Sequence, residues 1–139
     1  CCKNNITSIG ETHFLRKWYR FSKMVLSLGL HIPLGVYDYD KIRPKLLDVC
    51  FKDENVAPVL IPNWDNTARH GFGAMVLHNA TPENFYKHCN DIFSIIANKK
   101  NKVVFLKSWN EWGEGNYMEP CLKFGHGYIE ALNQALKEN

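Results

Sequence analysis

Twice in this chain a short apolar run stops abruptly at a dense cluster of polar and aromatic residues, and an amphipathic stretch follows. The first run spans Val56 to Pro62 and carries Val56, Val59, Leu60 and Ile61; the second is Val103-Val104-Phe105-Leu106. Short β-branched runs of this kind predict strands buried on both faces. After the first come Asn63, Trp64, Asp65, Asn66 and Arg69; after the second come Trp109, Asn110, Glu111, Trp112, Glu114, Tyr117 and Glu119. The repeated order of strand, polar cluster and helix implies parallel strands joined by crossover helices, an α/β fold. Both clusters then end strands on one edge of a sheet, where such folds place their sites. Neighbouring strands lie about 5 Å apart, so Trp64, Asp65 and Arg69 are expected to approach Glu111 and Glu114.

The helices have clear signals. Thr81-Pro82-Glu83 offers a capping hydroxyl, a proline for the first turn and an acid beside the helix dipole. Phe85, Cys89, Ile92, Phe93 and Ile96 follow as one apolar stripe. Gly127 to Leu136 reads as the last helix, with Tyr128, Leu132, Ala135 and Leu136 inward. Upstream, residues 1–10 are polar and without period. Glu11 to Leu28 then repeats Phe14, Leu15, Trp18, Phe21, Val25 and Leu28 at helical spacing, with Gly29 as its stop. Arg16, Lys17, Arg20 and Lys23 crowd its other surface. That surface is either a solvated face or a peripheral contact for anionic lipid. His31 to Tyr39 reads as an extended connection. Lys41 to Phe51 reads as a helix capped by Asp40, with Pro44 in its first turn. Asp38 and Asp40 have a second reading, as a carboxylate pair sharing a hard cation. Gly71 and Gly73 predict a mobile loop.

The chain has 139 residues, enough for one domain with a real core. A net charge of +3 is too small to suggest a nucleic-acid binder. No apolar run approaches a membrane span, and no signal-peptide pattern is visible. The five cysteines are odd in number and lack C-x-x-C spacing, so reduced thiols in a cytoplasmic protein are expected, with Cys89 in the core. The six histidines show no H-E-x-x-H, and the glycines form neither nucleotide-binding loop. Ser108 has no nucleophile-elbow context. No metal and no cofactor are expected.

The second polar cluster has the composition of a sugar site. Carboxylates serve glycosyl transfer as acid, base or nucleophile, and indole and phenol faces stack on pyranose rings. Glu111 and Glu114 stand three residues apart, so their Cα atoms lie within roughly 5–10 Å of one another. Both can therefore face one sugar. A working pair needs its two carboxyl groups held in different protonation states by burial or by a neighbouring charge. Trp109 and Trp112 could supply that desolvation, or could be core residues. Glu119 could bind a hydroxyl or brace the return of the loop. Arg69 and His70 could hold a phosphate or a sugar carboxylate.

WNEWGEGNYMEP followed by FGHGYIEAL resembles the C-terminal signature of WbsX-like glycosyltransferases, which are related to glycoside hydrolase family 99. YDYDKI (Tyr37 to Ile42) and PNWDNTARHG (Pro62 to Gly71) resemble two further signatures, so the likeness covers about residues 37–137. Ala68 stands where the family usually has proline, and His70 lies near a position that is usually basic. The resemblance implies the C-terminal βα units of a (β/α)₈ barrel, a fold that takes about 250 residues. Residues 1–139 would form one fragment of it, with 1–36 as a basic amphipathic helical lead-in. It implies that Glu111 deprotonates a sugar 2-hydroxyl to give a 1,2-anhydro intermediate and that Glu114 is the general acid/base. Substrate binding would fall to Trp64, Asp65, Asn66, Arg69, Trp109, Asn110, Trp112, Tyr117 and Glu119. The implied substrate is a carbohydrate, lipid-linked or nucleotide-activated, in lipopolysaccharide or capsular polysaccharide synthesis. A retaining hydrolase and a non-catalytic sugar-binding barrel are the alternatives.

Overall fold

The computed structural model describes residues 35–139, together with Phe21, Met24, Val25 and Gly29. The basic surface expected on the lead-in helix, and with it the choice between a solvated face and a lipid contact, lies outside the described residues. Gly29, expected to stop that helix, is itself helical, a difference within the usual slack of helix ends.

Among the described residues two strand pairs are parallel. β1 (Gly35–Asp38) pairs with β3 (Met75–His78), and β2 (Val59–Leu60) pairs with β4 (Phe105–Leu106). The second pair is extended by Phe105 N–H donating to Pro58 O and Lys107 N–H to Leu60 O, both at 2.9 Å. The chain between β2 and β4 contains the long helix α3 (Pro82–Ile96), and β4 leads on to α4 (Gly127–Glu138). The molecule is thus α/β with parallel pairs, and the described residues show no closed barrel. Two strands differ from expectation. Gly35–Asp38 is a strand rather than a connection, and Met75–His78, an apolar triplet after the glycines, pairs with it along its whole length. Gly71–Gly73 forms a 3₁₀ turn leading into that strand.

The core lies between α3 and α4. Phe85, Cys89, Ile92, Phe93 and Ile96 are buried, as the stripe predicts, against Tyr128, Ala131 and Ala135 of α4 and against Leu60 and Met118. Burial pushes the Cys89 thiol up to about 12. Tyr128 packs edge-on against Phe85, Tyr117 and Phe124 at 5.6–5.9 Å, a favoured aromatic geometry. Its hydroxyl donates to Ala80 O at 2.7 Å. Leu136 is exposed, contrary to expectation. The inward line of α4 runs through residues 128, 131 and 135, and residue 136 lies about 100° further round the helix.

The cap of α3 is as read: Thr81 Oγ1 accepts from Asn84 N–H at 3.3 Å, with Pro82 opening the helix. Thr81→Ala should cost about 1 kcal/mol, measured by chemical denaturation; an unchanged midpoint would mean that the hydroxyl does not cap.

Helix α1 (Tyr39–Leu46) departs from expectation. Asp38, not Asp40, caps it by accepting from Lys41 N–H at 3.2 Å. That bond, with a second from the Asn79 amide at 2.9 Å, holds the Asp38 carboxyl below its usual range. Asp40 pairs with Arg43 at 3.3 Å. The two aspartates therefore have separate partners. Pro44 sits inside the helix, where it removes a donor, and the helix ends two residues later. A 3₁₀ turn (Val49–Lys52) takes the place of its expected last turn.

The strands are less buried than their composition suggests. Leu60 is buried and Leu106 half-buried, but Val59, Val103 and Phe105 are exposed, Phe105 by 59%. Alternate side chains of a strand face opposite sides. One side meets the helices, and nothing among the described residues covers the other.

Candidate active site

Because β2 and β4 are parallel neighbours, the segments that follow them emerge together. The second segment is a small hairpin. β5 (Asn110–Glu111) pairs antiparallel with β6 (Asn116–Tyr117) around a 3₁₀ turn (Trp112–Glu114). Gly115 closes the turn at φ +52°, a left-handed conformation that costs other residues about 1–2 kcal/mol.

Main-chain and amide contacts lock the two segments together. Asp65 N–H donates to Glu114 O at 2.9 Å. Asn63 and Asn116, both buried, do the rest. The Asn116 amide donates to Asn63 O, and Asn63 Oδ1 accepts from Tyr117 N–H at 2.8 Å. Ser108 Oγ donates to Asn116 O at 2.8 Å. A side chain at Gly115 would press on the Asp65 main chain, its Cβ falling 2.8 Å from Asp65 O. Gly115→Ala should therefore cost about 2 kcal/mol from backbone strain alone and part the two segments. Faster amide exchange at Asp65 would report this; unaltered exchange would refute the locking role.

Within this frame the two clusters meet. Short helix α2 (Thr67–His70) carries Arg69, whose guanidinium pairs with Glu111 (Nη2–Oε1, 2.9 Å) and with Glu114 (Nη1–Oε1, 3.4 Å). Lys107 Nζ lies 3.8 Å from the other Glu114 oxygen and 5.0 Å from the centre of the Trp64 ring, a cation–π contact. The positive groups offset the repulsion between two carboxylates held on one small loop.

The remaining expected residues divide. Asp65 Oδ1 accepts from Thr67 N–H at 3.0 Å and Thr67 Oγ1 at 2.6 Å, so it also braces α2. Asn66 is buried and turned away, its Oδ1 accepting from Met75 N–H at 2.8 Å. Trp109 and Trp112 are 56% and 51% exposed and so are not core residues. Trp112 stacks on Tyr117 at 4.1 Å, and its indole N–H donates to Glu119. Asn110 Nδ2 also donates to Glu119, at 3.3 Å. Glu119 thus ties the start of the hairpin to its end. Burial, with Cys121 beside it, pushes the Tyr117 phenol up to about 12. Asn63, Ser108, Lys107 and Asn116 were not among the expected site residues. Asn63, in the polar cluster after the first strand, and Lys107, a cation directly after the second, carried some signal; Ser108 and Asn116 carried none. Among the described residues no three His, Cys, Asp or Glu side chains gather to hold a metal, and no helix is long and apolar enough to cross a membrane.

The fold and this site define an α/β chain with paired carboxylates and exposed aromatics at the C-terminal edge of parallel strands. The family model of glycosyltransferase WbsX matches residues 3–132, and the chain belongs to that family. Proteins from two strains of Xanthomonas campestris pv. campestris, B100 and ATCC 33913, are each 30% identical over 105 residues. Both are described as uncharacterized protein WxcX. The match covers 73% of this chain but only 15% of each relative, so the chain spans a small part of their length. No solved structure matches.

Proposed function

We propose that this chain carries the catalytic edge of a glycosyl-transfer enzyme of surface polysaccharide synthesis, with Glu111 and Glu114 as its reacting pair. The observation that carries the reading is the meeting of both carboxylates at Arg69, beside exposed Trp109 and Trp112. In the proposed reaction Glu111 takes the proton of the sugar 2-hydroxyl as its oxygen attacks C1. Glu114 protonates the departing oxygen. The acceptor hydroxyl then opens the 1,2-anhydro ring, giving its proton to Glu114, while Glu111 returns its proton to O2. Trp109 and Trp112 offer faces for pyranose rings. In the same proposal the two parallel pairs belong to a (β/α)₈ barrel. The bare apolar side of Val59, Val103 and Phe105 supports this, being the side further strands would cover.

A second reading, retaining hydrolysis, is favoured by local charge. Asp65, Glu111, Glu114 and Glu119 outnumber Arg69 and Lys107, a balance better suited to a neutral glycoside than to a phosphorylated donor. Incubating the natural protein with nucleotide sugars and, separately, with oligosaccharides distinguishes the readings. Donor-dependent elongation supports transfer, and release that consumes water supports hydrolysis. Sugar binding without either, unchanged in Glu111→Gln and Glu114→Gln, would leave only a binding module.

A further inference from the structure

Arg69 is 51% exposed at its side chain, and an exposed ion pair is worth at most about 1 kcal/mol. Ion pairing alone would not hold a long side chain in one place. The structure supplies a second restraint. A Cβ built on Gly113 would fall 2.9 Å from Arg69 Nη2, 3.0 Å from Nε and 3.2 Å from Cζ. The guanidinium plane therefore rests on the bare backbone of Gly113, at the centre of the turn that joins Glu111 to Glu114. At its other end, Arg69 N–H donates to Asn66 O at 3.1 Å, and α2 is braced by Asp65. Nη1 and Nη2 each give one of their N–H groups to a glutamate, so the pair, and not a ligand, sets the orientation of the guanidinium.

We propose that Arg69 is a positioning residue, seated on Gly113, that holds Glu111 and Glu114 toward one sugar and does not itself bind the substrate. This rests on the reading of the glutamates as the reacting pair. Gly113 has no left-handed conformation, and a Cβ there would meet only the mobile end of Arg69, so a larger residue would act by shifting the guanidinium off both carboxylates rather than by straining the backbone.

The seat is tested first without substrate, by nuclear magnetic resonance of the Arg69 Nε–H group. Glu111→Gln and Glu114→Gln should each move its resonance, and Gly113→Ala should return it to the position of a free arginine. A resonance indifferent to Gly113→Ala overturns the seat. The role is tested by turnover of glycosyl fluorides by the natural protein. Arg69→Ala should lower kcat about 100-fold with KM nearly unchanged, and the pH–rate profile should move with it. Added guanidinium should restore turnover in Arg69→Ala but not in Arg69→Ala/Gly113→Ala, where the seat is filled. If Arg69→Ala instead raises KM at constant kcat, Arg69 binds substrate and the inference falls while the glutamate pair stands. If Glu111→Gln and Glu114→Gln both keep full turnover on a substrate with a poor leaving group, the reading of the pair falls, and the inference with it.

Discussion

Glu114→Gln should remove turnover by a factor of about 10²–10⁴, the usual contribution of a positioned general acid or base. Glutamine is the informative substitute because it keeps the shape and still offers Arg69 an oxygen at 3.4 Å. The ion pairs lost with the charge are partly exposed, so stability should change by less than about 1 kcal/mol. Loss of rate with an unchanged unfolding midpoint then isolates chemistry from folding. On a substrate with a good leaving group the loss should shrink, because protonation of the departing oxygen is no longer needed. The acidic-form limb of the pH–rate profile should vanish in Glu114→Gln and persist in Trp112→Phe. Wild-type turnover by Glu114→Gln on a poor leaving group would move the acid to Glu119, or end the catalytic reading.

Acidification should destabilise the chain between pH 6.5 and 4 through His88. This imidazole is fully buried on α3, and among the described residues neither ring nitrogen makes a hydrogen bond of good geometry, the backbone at Val59 being a polar contact. It lies 6.1 Å from the Tyr39 ring, edge to face. Burial lowers its pKa from 6.5 to about 4; nearby Asp91 and the Val59 backbone oppose the shift, and Arg43 adds to it. The unfolded chain therefore takes up the proton first. Stability is fully present above pH 6.5 and is lost as the pH falls toward 4, in total about 3 kcal/mol. Asp38, Asp48 and Glu54 have carboxyls lowered by backbone N–H donors, so their contribution is lost as the pH falls below the ordinary carboxylate range, mostly beneath the window of His88. Urea unfolding at stepped pH should show the slope in the native sequence and lose it in His88→Phe. A slope that survives the substitution would assign the proton to another group.

Whether a feature could be read in the sequence depended on its range. The stripe of α3 and the Thr81 cap are local signals, and they were legible; that of α4 was legible except at its end, where Leu136 is exposed. The meeting of Arg69 with Glu111 and Glu114 was legible too, because it follows from parallel strand order rather than from side-chain detail. Strand β3 was not: Met75-Val76-Leu77 is too short to show a period, and its partner β1 lies 40 residues upstream in the register Gly35↔Met75. The capping of α1 was misplaced by two residues, since Asp38 and Asp40 are chemically the same and only the backbone decides between them. The bonds of Asn63 and Asn116 were invisible, because an asparagine in a loop announces no partner 53 residues away. The exposure of Phe105 could not be inferred from an apolar run, which records what a strand could bury and not what is present to cover it.

The joint between the two loops has an evolutionary consequence. It is made by Asn63, Ser108, Asn116 and main-chain atoms, and it borrows no side-chain oxygen from Glu111 or Glu114. Their carboxylates can thus mutate without loosening the scaffold that presents them. A lineage could exchange its acid pair, drift in sugar preference or fall silent as a catalyst while the same hinge-like knot of amides persisted. Variation at the glutamates and constancy at the asparagines would be the trace such a history leaves.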